Sequence, residues 1–162
     1  MAKKSVFYSF HFDNDVMRVQ QIRNIGVIED NAPVSPNEWE KIKGQGEAAI
    51  QRWIDENMRY KSCVVVLVGK ETAYREWVQY EIIKAWNDKK GLLGVNIHNL
   101  KCPRGGTCAS GPNPFENIRF QNGTSLSSVV KCYNPNPLYA YSEIAENLER
   151  WIDEAIAIRN RN

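Results

Sequence analysis

The sequence has no long hydrophobic run. The longest uninterrupted one, Cys63 to Val68, is far shorter than the roughly 20 residues that a membrane-spanning helix requires. The apolar stretch near the N-terminus is interrupted by Ser9, His11 and Asp13, which is typical of a first strand and not of a signal peptide. We therefore expect a cytoplasmic protein without membrane association, in which Cys63 is a reduced thiol of the core.

An excess of charge of either sign is also missing. The 21 Lys and Arg residues barely outnumber the 19 Asp and Glu residues, and the basic residues are scattered. This distribution excludes the basic surface that nucleic-acid-binding proteins and proteins of anionic membranes use. We expect no nucleic-acid partner.

Histidine is scarce, with two residues in the chain, which limits the metal sites that can be built. His98, Cys102, Cys108 and Cys132 permit a zinc site on paper, but Cys102 and Cys108 are further apart than the usual spacing of zinc ligands. A loop with reduced thiols explains the CPRGGTC segment more simply. We therefore predict no metal site, and the loop's own role stays open.

The chain is of a length that suits one ordinary domain with a real core, spanning residues 1–162. No internal repeat or low-complexity tract is present.

Alternating apolar and amphipathic segments predict the strands and helices. The predicted strands are Ser5–Phe12, Val27-Ile28, Ser62–Val68, Gly91–Ile97 and Ser128–Tyr133. The predicted helices are about Asp15–Asn24, Glu38–Met58 with a break at Gly44–Gly46, Thr72–Asn87 and Ser142–Arg159. Asp13 or Asp15, Ser35 or Asn37, and Thr72 are the predicted helix caps. Strands that alternate with helices predict a doubly wound, mainly parallel α/β sheet flanked by helices.

Two loops are expected at the ligand crevice of this sheet. In doubly wound sheets ligands bind at the carboxyl ends of the strands, where the strand order reverses. The loop Ser9–Asp15 follows the first strand, and the loop Gly69–Arg75 follows the strand Ser62–Val68. The helix after the second loop therefore begins at the crevice.

Glu81 is a carboxylate in the middle of an apolar helix face. Its neighbours on the stripe of the predicted helix are Tyr74, Trp77, Val78, Ile82 and Ala85. An unpaired carboxylate on such a face costs several kcal/mol or shifts its pKa. A ligand site is one explanation, with Trp77 as an aromatic wall one turn before Glu81, and pairing with a buried arginine is the other.

Two better-known sites are excluded by the loop after the central strand. Gly69-Lys70-Glu71-Thr72 lacks the preceding glycine of a nucleotide-binding phosphate loop. A phosphoacceptor receiver domain needs an aspartate at the end of the central strand, where this sequence has Val68-Gly69.

Several segments together resemble TIR-like domains, and more specifically the ThsB proteins of the bacterial Thoeris anti-phage system. They are SVFYSFHF with Asp15, Arg18 and Arg23-Asn24 after it, then CVVVLVGKET, Arg75, Trp77-Val78, Tyr80-Glu81-Ile82 and GLLGVNIH, and finally GPNPF at Gly111 to Phe115. These segments extend over most of the chain to about Phe120.

The resemblance implies a flavodoxin-like TIR fold that cleaves the nicotinamide–ribose bond of NAD. The family's catalytic glutamate lies four residues after a tryptophan, which is the position of Glu81 after Trp77. NAD is then the substrate, and no separate cofactor is implied. The product is a cyclic or conjugated ADP-ribose that diffuses to a separate effector protein, after a trigger that originates from the phage.

The expected NAD-binding residues come from the same segments: Ser9, Phe10, His11, Arg18, Asn24, Arg75 and Trp77. Phe10 is a stacking candidate, while Ser9 and His11 are candidates for hydrogen bonds to ribose or phosphate. Core packing is the alternative for Phe10. Arg18, Arg23 and Arg75 are pyrophosphate candidates, although helix arginines are more often solvated or paired. Trp39 is a further lining candidate for which core packing is favoured.

A different class of function is also compatible with the sequence. A non-catalytic TIR-like module would assemble with partners or sense infection through its surface helices. Such modules self-associate, and head-to-tail contacts between copies build open filaments. Glu81 discriminates between the two hypotheses, because a scaffold has little use for a carboxylate between Trp77 and Val78.

Overall fold

Four parallel strands form the sheet in the part of the chain that the structure describes. The structure is a computed structural model that describes residues 5–25, 41–101 and 106–162, without the side chains of residues 12–14 and 16. The strands are β1 (Val6–Ser9), β2 (Cys63–Val68), β3 (Gly91–Asn96) and β4 (Cys132–Tyr133), and they lie in this order across the described sheet. Val6 pairs with Cys63, Val64 with Leu92, and Gly94 with Cys132, each in parallel register.

Helices cover both faces of the sheet. They are α1 (Phe12–Arg23), α2 (Glu47–Met58), α3 (Glu76–Asn87) and α4 (Ala140–Arg161). The helices α1 and α4 pack on one face, and α2 and α3 pack on the other. Short 3-10 helices occur at Thr72–Tyr74 and Leu126–Ser128. This arrangement confirms the predicted flavodoxin-like, TIR-like α/β fold.

The strand β2 divides the core into two layers. All six of its residues are buried, as expected for a central parallel strand. Because side chains alternate along a strand, Cys63, Val65 and Leu67 face α1 and α4, whereas Val64, Val66 and Val68 face α2 and α3. The thiol of Cys63 is free and buried, and burial raises its pKa above the usual range.

The structure corrects several predicted boundaries. The strand β1 ends at Ser9 and α1 begins at Phe12, so Asp13 and Asp15 lie inside the helix and are not its cap. Only Cys132 and Tyr133 of the predicted last strand pair with β3, because a 3-10 helix occupies Leu126–Ser128. The predicted break before α2 is confirmed, since residues 44–46 separate a helical turn at 41–43 from α2.

The helix that carries Glu81 begins later than predicted. Thr72 opens a 3-10 helix, its hydroxyl accepts a hydrogen bond from the N–H of Gly69 at 2.7 Å, and α3 starts only at Glu76. Tyr74 therefore leaves the apolar stripe of α3 and is 72% exposed. The Thr72 hydroxyl fixes the turn after β2 and not the helix.

Some predictions lie outside the described residues. They concern the strand Val27-Ile28, the caps Ser35 and Asn37, the helix start at Glu38, the lining candidate Trp39, and Cys102. Among the helices that the structure describes, none combines the length and the apolar character needed to cross a membrane.

Candidate active site

Glu81 lies in the buried face of α3, at the carboxyl edge of the sheet. It is 7% exposed, and its buried neighbours on the helix are Val78, Ile82 and Ala85. These apolar residues pack α3 against the sheet, so the helix cannot turn the carboxylate into solvent without losing its own packing. The fold thus holds an ionisable group in a water-poor position.

Ser9 supplies the hydrogen bond to this carboxylate. The pleat of β1 points Phe7 and Ser9 towards α2 and α3, whereas Tyr8 packs on the α1 and α4 side. The Ser9 hydroxyl is fully buried and donates to Glu81 Oε1 at 3.1 Å. The last residue of β1 and the middle of α3 therefore meet at one point.

Burial controls the protonation of Glu81. Removal from water disfavours the charged form and raises the pKa of Glu81 to about 8, while the hydrogen bond from Ser9 acts in the opposite direction. The ligand-free carboxyl is therefore mostly neutral at pH 7. A cationic ligand beside it would favour the ionised form.

A structural ion pair does not explain Glu81. Within residues 5–25, 41–101 and 106–162, no lysine or arginine lies within salt-bridge distance of its carboxylate, and Ser9 provides its side-chain hydrogen bond. The alternative of pairing with a buried arginine is wrong for the described part of the chain. Glu81 is thus a buried carboxyl group without a cationic partner among the described residues.

Trp77 lies one helical turn before Glu81, as the sequence predicts. Its indole is half-buried at the margin of the α2 and α3 core, and its ring centre lies 5.5 Å from that of Tyr80 in an edge-to-face arrangement. The Tyr80 hydroxyl donates to Asp55 Oδ1 of α2 at 2.7 Å. Trp77 is thus held in place as an aromatic neighbour of the Glu81 region.

His11 links the loop after β1 to the loop after β2. It is 7% exposed, and its Nδ1 lies 3.9 Å from Glu71 Oε2. Two residues along the chain, Ser9 contacts Glu81. The structure therefore brings together the two loops that the sequence places at the crevice.

Phe10 and Asn24 are not brought to Glu81. Phe10 packs against the core on the α1 and α4 side of the sheet, which agrees with its alternative role in packing. Asn24 is exposed at the C-cap of α1, about 18 Å along the helix from the carboxyl edge. Its side chain is far from the Ser9–Glu81 contact.

Arg18 forms hydrogen bonds and an ion pair within the protein. Its Nε donates to the carbonyl of Leu100 and its Nη2 to that of Gly106, each at 2.9 Å, while its Nη1 lies 3.5 Å from Asp15 Oδ1. The guanidinium is buried and ties α1 to the loop after β3. Within the described structure its Nε and Nη2 donate to backbone carbonyls, and its Nη1 faces the Asp15 carboxylate.

Asp15, which is a predicted cap candidate and belongs to the segments that resemble the family, is a buried carboxylate. It is 1% exposed, and its Oδ2 has no hydrogen-bond partner among the described residues. It packs directly on Gly69, where an added Cβ would overlap it. Burial raises the pKa of Asp15 to about 6, although Arg18 opposes the shift. The three-residue spacing to Arg18 was the signal that could have identified this pair.

Arg75 borders an open cleft beside the crevice. It is the N-cap residue of α3 and is exposed. The cleft has a volume of about 470 Å³ and is lined by Lys70, Glu71, Tyr74, Arg75, Ala109, Ser110 and Pro112. Lys70, Tyr74 and Ser110 are not predicted to line a cleft, because the opposite wall is formed by the distant loop 109–112.

The cysteines and histidines form no recognisable metal cluster in the described chain. Cys132 accepts a hydrogen bond from the Asn96 side chain at 3.6 Å, and burial raises its pKa to about 11. His98 is buried, and burial together with Arg18 lowers its pKa. No group of three or more His, Cys, Asp or Glu residues is arranged around a common point within the described ranges.

Comparison with known proteins places this chain in a family. The model of the family described as "Thoeris protein ThsB, TIR-like domain" matches residues 7–102, which include most of β1, all of β2 and β3, Ser9 and Glu81. The chain belongs to the Thoeris ThsB TIR-like family. The predicted resemblance is therefore confirmed.

A curated relative agrees with this assignment. The chain is 33% identical over 126 residues to a protein of Bacillus cereus (strain MSX-D12) that is named "Putative cyclic ADP-D-ribose synthase ThsB1". The match covers 75% of this chain and 65% of that protein. The TIR-like chain thus spans somewhat less than two thirds of the relative's length.

Proposed function

We propose that this chain cleaves the nicotinamide–ribose bond of NAD and makes an ADP-ribose-derived signalling nucleotide during anti-phage defence. The observation that carries the proposal is Glu81, a buried carboxylate without a cationic partner in the described structure, oriented by Ser9 at the carboxyl edge of the sheet. Membership of the Thoeris family and the name of the Bacillus cereus relative support the same chemistry.

One carboxylate is sufficient for the bond cleavage. When the bond breaks, its electron pair leaves with nicotinamide, which becomes neutral, and positive charge develops on the ribose. The ionised Glu81 stabilises that charge in a site where water cannot screen it. Nicotinamide departs without a proton, so a second acidic group is not required.

Substrate binding itself ionises Glu81 in this proposal. The free carboxyl has a pKa of about 8 because of its burial, and the pyridinium of NAD adds a positive charge where none was present. Binding therefore releases a proton and creates the carboxylate that the reaction needs. Ser9 keeps the same oxygen oriented in both protonation states.

The product depends on the group that replaces nicotinamide at the ribose carbon. Attack by water gives ADP-ribose, and attack by an atom of the same nucleotide gives a cyclic product. The name of the relative supports the cyclic product. A small nucleotide of this kind would diffuse to a separate effector protein.

A second candidate function is a protein-interaction or infection-sensing module. The observation that favours it is a group of exposed apolar side chains around the start of α4, Leu138, Tyr139 and Tyr141. Such a group is typical of a surface that binds another protein or a second copy. This function does not need Glu81.

Incubation of the purified protein with NAD, with and without lysate from phage-infected cells, separates the two candidates. Chromatography measures nicotinamide release and the nucleotide formed. Release in either condition, with a nucleotide that activates an effector, supports the enzyme. No release in either condition supports the interaction module.

A further inference from the structure

We propose that the cleft between the loops 70–75 and 109–112 binds the AMP half of NAD. The proposal rests on the proposed NAD cleavage and adds to it the place of the adenosine phosphate and the reason for preferring a dinucleotide. This AMP cleft has a volume of about 470 Å³ and is lined by Lys70, Glu71, Tyr74, Arg75, Ala109, Ser110 and Pro112. Its size lies in the lower part of the range for small-molecule sites.

The walls of the AMP cleft are fixed to each other. Gly111 lies against the carbonyl oxygens of Gly69 and Lys70 so closely that a Cβ at Gly111 would overlap both. The following Asn113 accepts a hydrogen bond from the N–H of Phe115, which is fully buried in the core. The loop 109–112 is therefore anchored to the core and to the loop after β2.

Two of the three charged side chains that line the AMP cleft are cations, Lys70 and Arg75, and the third is the carboxylate of Glu71. Lys70 and Arg75 are exposed, and neither forms an ion pair within the described residues. Arg75 also precedes the first turn of α3, whose N–H groups add positive partial charge at that end. A phosphate group is the ligand chemistry that such a pair of cations recognises.

Tyr74 and Glu71 provide the groups that recognise a nucleoside. The Tyr74 ring is 72% exposed, although a hydrogen bond from its N–H to the Glu71 carbonyl at 3.1 Å fixes its backbone. An exposed ring on a fixed backbone is a stacking surface for a base. A carboxylate such as that of Glu71 accepts hydrogen bonds from ribose hydroxyls.

The AMP cleft adjoins the loop after β1, which leads to Ser9 and Glu81. Glu71 lines the cleft, and its Oε2 lies 3.9 Å from Nδ1 of His11. His11 is two residues from Ser9, a separation of about 7 Å along extended chain. NAD bound with its nicotinamide ribose at Glu81 can therefore extend its other half past His11 into the cleft.

The first test compares NAD with nicotinamide mononucleotide, which contains the same cleavable bond but lacks the AMP half. Lys70→Ala and Arg75→Ala should each raise KM for NAD about tenfold, the effect of losing one charge-assisted hydrogen bond. Neither should change KM for the mononucleotide. Arg59→Ala removes an exposed charge that follows α2 at the opposite edge of the sheet, and should change neither value.

The second test measures binding of ADP by calorimetry and does not depend on catalysis. The wild type and Glu81→Gln should bind ADP equally, whereas the Lys70→Ala/Arg75→Ala double variant should bind it about a hundredfold more weakly. Unchanged ADP binding by the double variant, or no ADP binding by the wild type, would overturn the AMP cleft. Cleft-dependent ADP binding without nicotinamide release would support the cleft and contradict the proposed enzyme.

Discussion

The hydroxyl of Ser9 and the carboxylate of Glu81 form a hydrogen bond of 3.1 Å between the last residue of β1 and the middle of α3. The two residues are 72 positions apart in the chain, and both are buried. Among the described residues, Ser9 is the side chain whose hydrogen bond stabilises the charged form of Glu81. The contact therefore couples the position of the carboxylate to its protonation.

Ser9→Ala should shift the pH dependence of NAD cleavage upwards. The hydrogen bond from Ser9 lowers the pKa of Glu81, so its loss lets burial raise that pKa further. In the wild type kcat/KM should rise with pH and level off above about 8. In the variant the rise should occur at higher pH, and the rate at pH 7 should fall about tenfold.

Ser62→Ala is the matched control for Ser9→Ala. Its hydroxyl donates to the carbonyl of Ser5 at 3.0 Å near the amino end of β2, at the opposite edge of the sheet. This variant should keep the wild-type pH profile. Coincident profiles for Ser9→Ala and the wild type would show that Ser9 does not tune Glu81.

Glu81→Gln should stabilise the protein at alkaline pH. Because the folded-state pKa of about 8 lies above the ordinary 4.5, the stability that the neutral carboxyl contributes is complete below about 4.5 and is lost as the pH rises through 8. Glutamine stays neutral. The Tm of the variant should therefore match the wild type near pH 4.5 and exceed it by about 5 °C or more at pH 8. A constant Tm difference from pH 4.5 to 8 would contradict the raised pKa.

Arg18→Met should destabilise the fold more than it weakens NAD binding. The variant leaves the carbonyls of Leu100 and Gly106 without their donors and leaves Asp15 buried without its cation. The expected loss is about 3 kcal/mol, or roughly 10 °C in Tm.

Asp15→Asn, added to Arg18→Met, should restore part of this loss because it removes the unpaired buried charge. Thermal unfolding measures both variants, and NAD kinetics measure KM. An unchanged Tm with a large increase in KM for Arg18→Met would instead indicate that Arg18 contacts the pyrophosphate.

Gly111→Ala should separate the loop 109–112 from the loop after β2. The new Cβ would overlap the carbonyl of Gly69 and lie 2.7 Å from that of Lys70, and backbone atoms cannot move aside as a flexible side chain can. We expect a loss of about 2 kcal/mol in thermal unfolding and weaker ADP binding. Ser110→Ala, which adds no atom, should keep the wild-type Tm. A wild-type Tm for Gly111→Ala would show that the two loops are not locked together.

The sequence predicted the fold well where periodicity is strong. The predicted boundaries of the apolar strand β2 and of the amphipathic helix α4 lie within two residues of those in the structure. A strand buried on both faces gives a continuous apolar run, and a helix buried along one stripe gives a helical apolar period. Glu81 was found by the same logic, as a charge that breaks the pattern. The sequence could not predict that Glu81 lacks a cationic partner among the described residues. The residues that surround a side chain come from distant segments of the chain, and only the structure identifies them.

The errors of the sequence analysis have local physical causes. Thr72 was expected to cap a helix, but its hydroxyl bonds to Gly69 and a 3-10 turn precedes α3. The role of Arg18 at phosphate stays a prediction, and its hydrogen bonds to the carbonyls of Leu100 and Gly106 were not predicted. Side-chain and long-range hydrogen bonds decide such details, and periodicity contains no information about them.

The most direct test of the account is nicotinamide release from NAD by the wild type and by Glu81→Gln, with and without lysate from phage-infected cells. Circular dichroism and the Tm first establish that the variant is folded. We expect it to fold because glutamine is uncharged and can be buried at this position. We predict release by the wild type and a loss of at least about a thousandfold in the variant, since the group that stabilises the ribose charge is gone. Equal release by the two proteins would contradict the assignment of Glu81 as the catalytic carboxylate.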